Sequence, residues 1–138
     1  MRVVVDTNVL VSGIFFGGAP YRIVLAWRDG EIEVVVSPEI VDEYWGTAQR
    51  IAERFPGVDV TPILGLLVAR ATIVVAPPLP KAVCEDSADD KFLACALAGR
   101  ARIVISGDKQ LLKVTGYRGI RVQRPRAFVD EQLGGRPT

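Results

Sequence analysis

The chain has 138 residues, 49% of them apolar and 24% charged, which suits one globular domain with a real core and excludes a disordered chain. The absence of histidine excludes His-based triads, His general bases and most zinc sites. The formal net charge of +1 marks neither a general polyanion binder nor an acidic shield.

Arg2–Val5 is a short β-branched apolar run and predicts a buried strand. Residues 15–20, Phe-Phe-Gly-Gly-Ala-Pro, read as a loop. Residues 21–28 form a short helix with Ile23, Val24, Leu25 and Trp27, closed by Asp29-Gly30. Glu33–Val36 is a second strand. Ser37-Pro38-Glu39 starts a helix, with serine as N-cap, proline at the first helical position and an acid in the first turn. Its apolar face runs from Ile40 to Phe55, before the Pro56-Gly57 stop.

Thr61-Pro62 starts another helix, residues 72–75 give a third strand, and Ala-Pro-Pro-Leu-Pro is a loop. A helix over about residues 89–98, capped by Asp86 or Ser87, ends at Gly99. Ile103–Ile105 is a fourth strand, and Asp108 caps a short helix over residues 109–113. Residues 120–122 are a fifth strand and Pro125–Gln132 the last helix. Strands and helices alternate, and the strands lack a period of two, so the pattern predicts a parallel sheet covered on both faces. The expected organisation is a single domain over residues 1–132 with a mobile C-terminal tail over 133–138.

Cys84 and Cys95 lack paired metal spacing and are expected to be reduced, buried and structural. There is no apolar run of 18 residues, and Asp6 interrupts the N-terminal one too early for a signal peptide, so the expected setting is the cytoplasm, with no membrane.

Four acids stand near strand ends or in early helix turns. Asp6 follows the first strand, Glu43 lies in the second turn of the helix after strand two, Asp89 begins a helix, and Asp108 follows the fourth strand. Each has a plain structural explanation. Asp6 could make a turn bond with Asn8, Glu43 could flank an apolar face, Asp89 could complement a helix dipole, and Asp108 could be an N-cap. A parallel sheet would nevertheless bring all four to one edge, where ligand sites form. Crowded carboxylates repel unless a cation sits between them, and a hard divalent cation can activate a water and stabilise charge on a phosphoryl oxygen. With no histidine present, the acids read as metal ligands rather than acid–base catalysts.

Charge is uneven along the chain. Residues 1–99 hold 8 basic and 13 acidic side chains, net −5, and residues 100–138 hold 9 and 3, net +6. Arg118, Arg121, Arg124 and Arg126 are either a solvated surface or a phosphate-binding rim beside the acids.

The stretches VVVDTNVLVSG, SPEIVDEY, EDSADDKFLACALAGRARIVISGDKQLL and RPRAFVD resemble the PIN-domain family, particularly its bacterial and archaeal toxins of toxin–antitoxin pairs, over about residues 2–132. The resemblance implies a three-layer α/β/α fold with a central, mostly parallel sheet of about five strands. It also implies a Mg²⁺- or Mn²⁺-dependent endoribonuclease, an RNA substrate, a small antitoxin partner and a homodimer. Asp6, Glu43, Asp89 and Asp108 match the four family acids, with Asp6, Asp89 and Asp108 as metal ligands. Asn8 matches a residue that helps hold the first acid, Asp86 an auxiliary acid, and Ser106 stands where the family more often has threonine. Asp90, where asparagine is common, competes with Asp89 as the ligand. Trp27, Tyr44 and Trp45 are candidates for a dimer surface or for the core. Two other functions fit part of the pattern. One is a catalytically degenerate RNA- or protein-binding module. The other is a phosphatase with an aspartyl nucleophile at Asp6, which wants a second aspartate where this chain has Asn8.

Overall fold

The computed structural model describes residues 1–134, so residues 135–138 of the expected tail lie outside the described residues. In chain order the elements are β1 (Arg2–Val5), α1 (Thr7–Phe15), α2 (Gly18–Arg28), β2 (Glu33–Val36), α3 (Pro38–Ala52), α4 (Thr61–Arg70) and β3 (Thr72–Ile73). There follow α5 (Asp90–Ala98), β4 (Ile103–Ile105), α6 (Lys109–Leu112), β5 (Arg121–Gln123) and α7 (Pro125–Gln132), with 3₁₀ turns at Ser87–Asp89 and Tyr117–Gly119.

The strands form one sheet in the order β3-β2-β1-β4-β5, and every pairing is parallel. Val3–Val5, Val34–Val36 and Ile103–Ile105 are buried throughout, as expected of strands covered on both faces in a three-layer α/β/α fold. Leu133, assigned by sequence to the tail, packs against the core. Cys84 and Cys95 are free and buried, and burial pushes both thiols up to about 12.

The N-terminal segment departs from the sequence reading. Residues 7–15 form α1, and α2 starts at Gly18, inside the expected loop. Val9, Val11 and Gly13 are poor helix formers, so tertiary burial of Val9, Leu10, Val11 and Gly13 drives this helix. Gly13 is where α1 meets α2. A Cβ there would stand 2.5 Å from Val24 Cγ2 and 2.6 Å from the Pro20 carbonyl oxygen. The two helices meet at 96°, and among the described residues no single helix is long and apolar enough to cross a membrane. At the other edge of the sheet, β3 keeps only Thr72 and Ile73 of its expected four residues.

Candidate active site at the carboxyl edge of the sheet

The register of the sheet builds the site. Val5 pairs with Ile105 and Ile105 with Gln123, so Asp6, Ser106 and Arg124 come next at the same level. The ladder continues one residue past the strands: the Asp6 N–H donates to the Ile105 carbonyl and the Ser106 N–H to the Gln123 carbonyl, both at 2.9 Å. Asp6 and Ser106 are therefore neighbours, and the Ser106 hydroxyl donates to Asp6 Oδ2 at 2.6 Å.

The Asp6 side chain makes no capping bond to α1; only its carbonyl does, accepting from Val9 and Leu10. Asp6 is 5% exposed. Burial raises its pKa, the Ser106 bond opposes that, and the charges of Asp108 and Glu43 raise it further. Asn8, expected to help hold Asp6, is exposed and makes no hydrogen bond to it. The hydroxyl on Asp6 is that of Ser106. Asn8 instead lines a cavity of about 350 Å³ with Ser12, Asp108 and Pro125.

Glu43 is delivered by α3. The helix is capped by Ser37 Oγ, which accepts from the Ile40 N–H at 3.3 Å, and it buries Ile40, Tyr44 and Ala48. The Tyr44 hydroxyl donates to the Val5 carbonyl at 2.5 Å, which fixes α3 over the end of β1. Glu43 Oε2 accepts from the Thr7 hydroxyl, and Glu43 Oε1 pairs with Lys91 Nζ at 2.7 Å. The Lys91 side chain is only 12% exposed; Nζ also donates to the Ala88 carbonyl at 2.6 Å. The sequence reading missed Thr7 and Lys91. Lys91 did leave a signal, because a cation in the first turn of a buried helix opposes the helix dipole.

The third acid stands at the end of the 3₁₀ turn Ser87–Asp89, half-buried. Burial pushes the pKa of Asp89 up to about 6, helped by the charges of Asp108, Asp6 and Asp86. Asp86 is exposed and caps the turn, accepting from the Ala88 N–H at 3.0 Å. Asp90 turns away from the other acids. Its carboxylate accepts from the Val83 N–H at 3.0 Å and the Cys84 N–H at 2.7 Å, which pins the preceding loop to α5. Asp108 accepts from the Gln110 N–H at 2.9 Å, and its own N–H donates to Ser106 Oγ at 3.0 Å. It is an N-cap that also faces the site.

Asp6, Glu43, Asp89 and Asp108 thus share one edge, where Asp6 and Asp89 feel the charge of Asp108. Among the described residues, no three acid, cysteine or histidine side chains converge tightly enough to enclose an ion unaided. An all-carboxylate set of this kind fits Mg²⁺ or Mn²⁺, which take oxygen ligands; Mg²⁺ keeps several waters and uses one or two carboxylates. A cavity of about 560 Å³ adjoins the four acids without containing them; Ser37, Glu39, Ala88 and Lys91 are among its lining residues.

Of the two alternatives for the four arginines, a single rim does not describe their geometry, because they stand at two edges of the sheet. Arg124 and Arg126 follow β5 and stand at the acid edge, where Pro125 shares a cavity with Asp108. Arg118 and Arg121 precede or begin β5, at the opposite edge, roughly 10 Å away along the strand. Trp27 and Tyr44 are core, 1% and 0% exposed, and Trp45 packs against that core, so none of the three offers an open aromatic surface.

A family model described as PIN domain matches residues 2–110. The chain belongs to the PIN-domain family. A relative, the uncharacterized protein MJ1680 of Methanocaldococcus jannaschii, is 29% identical over 144 residues, covering 95% of this PIN chain and 91% of the relative. Among solved structures, PAE2754 from Pyrobaculum aerophilum superposes with a TM-score of 0.63 at 15% identity, covering 97% of this chain and 90% of that one. VapBC2 from Rickettsia felis, bound to a DNA fragment from its promoter, gives a TM-score of 0.58 at 12% identity, covering 90% and 98%. These two likenesses concern the PIN fold alone.

Proposed function

We propose that this PIN domain is a divalent-metal-dependent endoribonuclease that hydrolyses phosphodiester bonds in RNA, and that it serves as the toxin of a toxin–antitoxin pair. The observation that carries the reading is Asp6. It is a carboxylate buried at a strand end, with a raised pKa, one hydroxyl partner and two acidic neighbours. A fold places such a group at a cost, which a bound cation offsets.

Asp6, Asp89 and Asp108 would hold the ion, Mg²⁺ or Mn²⁺, partly through water. When bound, the ion supplies an activated water and stabilises charge on the phosphoryl oxygen. Ser106 orients Asp6, while Thr7 and Lys91 fix Glu43 beside it. Arg124 and Arg126 offer positive charge to RNA phosphates that the acids alone would repel. By the resemblance to PIN toxins, a small antitoxin would cover the acidic cleft, the toxin would be a homodimer, and the setting would be the cytoplasm.

The Glu43–Lys91 ion pair favours a second reading, a non-catalytic module in which lysine takes the place of an ion. Cleavage of a quenched single-stranded RNA reporter, run with Mg²⁺, Mn²⁺ or EDTA beside Asp6→Asn, separates the two. Metal-dependent cleavage that the variant loses is the expected result. A folded protein that neither cleaves nor binds Mn²⁺ by calorimetry would leave the module reading.

A further inference from the structure

A second cavity lies at the amino edge of the sheet, away from the acids. It encloses about 330 Å³ between the end of α5, the start of β4 and the 3₁₀ turn at Tyr117–Gly119. Arg100 and Arg102, both on the connection between α5 and β4, and Arg118, in the turn before β5, line it together with the apolar Ala96, Leu97 and Ile120. All three arginines are exposed, and among the described residues none of their guanidinium groups makes an ion pair or hydrogen bond. The carboxylates of this edge are engaged elsewhere: Glu33 with Arg2 and Thr72, and Glu131 with Gln123 and Arg121.

The backbone fixes two of these arginines in place. Arg100 and Arg118 have φ of +57° and +49°, and they are the only non-glycine residues with positive φ among those described. At Arg100 this closes α5 as a left-handed C-cap: the Arg100 N–H donates to the Leu97 carbonyl at 3.3 Å and the Ala101 N–H to the Ala96 carbonyl at 2.8 Å. Both left-handed residues line this one cavity, so the two turns that end α5 and precede β5 set where these arginines stand. Three forked donors with no internal acceptor, over an apolar floor, match a phosphate and the sugar beside it.

We propose that this pocket binds a phosphate of a single-stranded nucleic acid, as an anchor separate from the acidic edge. It deepens the ribonuclease reading, since the strand would be the substrate, but it is tested without cleavage. The full chain in EDTA is titrated into a fluorescein-labelled 12-nucleotide RNA at several salt concentrations, as wild type, Arg100→Gly/Arg118→Gly and Arg50→Ala/Arg54→Ala. Glycine suits positive φ, so the first variant removes two cations and keeps the fold, which thermal melting checks.

The expected result is roughly tenfold weaker binding and a salt slope lower by about 0.7, the value for one lost phosphate contact on a single strand. The Arg50/Arg54 control should change neither by as much. Wild-type affinity and slope in the glycine variant would overturn the proposal, as would an equal loss in the control, which would indicate bulk charge. A competition arm with uridine 5′-monophosphate identifies the source of the phosphate. Displacement of the RNA at sub-millimolar monophosphate would assign the pocket to a free nucleotide and overturn the strand assignment; no displacement supports it. If binding behaves as expected while the reporter is never cleaved, the anchor stands and the nuclease reading falls.

Discussion

Asp89→Asn should make the metal-free protein more stable and the metal-loaded protein less so. The carboxyl titrates at about 6 in the folded chain, raised by burial and by Asp108, Asp6 and Asp86, against about 4 for a free aspartate. A carboxylic acid with a raised folded pKa contributes stability that is complete below pH 4 and is lost as the pH rises through 6. Two pKa units correspond to about 3 kcal/mol. Asp89 is half-buried, so solvent screening reduces this to about 1–2 kcal/mol. For a domain of 138 residues that is a rise in Tm of about 3–7 °C at pH 8 in EDTA, and none at pH 4.

Saturating Mn²⁺ should reverse the order. An ion that binds only the folded state adds about 2.7 kcal/mol at a hundredfold excess over Kd, and the asparagine variant should gain little of it. Differential scanning fluorimetry across pH 4–8, with EDTA and with Mn²⁺, reads both effects. A variant that melts below wild type at pH 8 in EDTA would refute the repulsion argument. Equal stabilisation of the two proteins by Mn²⁺ would remove Asp89 as a ligand.

Ser106→Ala removes the bond that lowers the Asp6 pKa, so the carboxyl should protonate at still higher pH. Mn²⁺ affinity, measured calorimetrically, should then fall more at pH 6 than at pH 8; parallel losses would argue against it. Asp90→Ala frees two backbone N–H groups, at Val83 and Cys84, and should cost about 2 kcal/mol in urea unfolding while leaving Mn²⁺ affinity intact. A loss of affinity matching that of Asp89→Asn would reverse the assignment between the two. Gly13→Ala forces α1 and α2 apart and should destabilise by about 1–3 kcal/mol; an unchanged melting temperature would mean that the crossing is looser than described.

The parallel sheet and the placement of its acids were legible because buried strands write themselves as runs such as Val-Val-Val and Ile-Val-Ile, and each acid follows such a run or a capped helix start. Helix α1 was not legible. Its valines and glycine carry the wrong local propensity, and only the packing around Val9, Leu10 and Gly13 compensates. The split of the arginines was hidden for a related reason. Arg118 to Arg126 look like one cluster in sequence, but a strand runs through the middle and sends the two halves to opposite edges. Lys91 and Thr7 lay outside the pattern because their partner, Glu43, is distant in sequence. The Asp89–Asp90 ambiguity concerned orientation, and spacing alone says little about that: one carboxylate faces the acids while its neighbour faces the loop amides.

The site is fastened to the molecule in two unequal ways. Asp6 and Ser106 hang on extra rungs of the central ladder, so their amides should exchange with solvent deuterons only when the whole domain opens. Asp89 rides on a single 3₁₀ turn at the end of the irregular stretch over residues 74–86, held by the Asp86 cap, the Lys91 bond to the Ala88 carbonyl and the two bonds of Asp90. Its neighbourhood should exchange orders of magnitude sooner, through a local opening that leaves the rest protected. One wall of the cleft is therefore as durable as the fold, while the other can open without it.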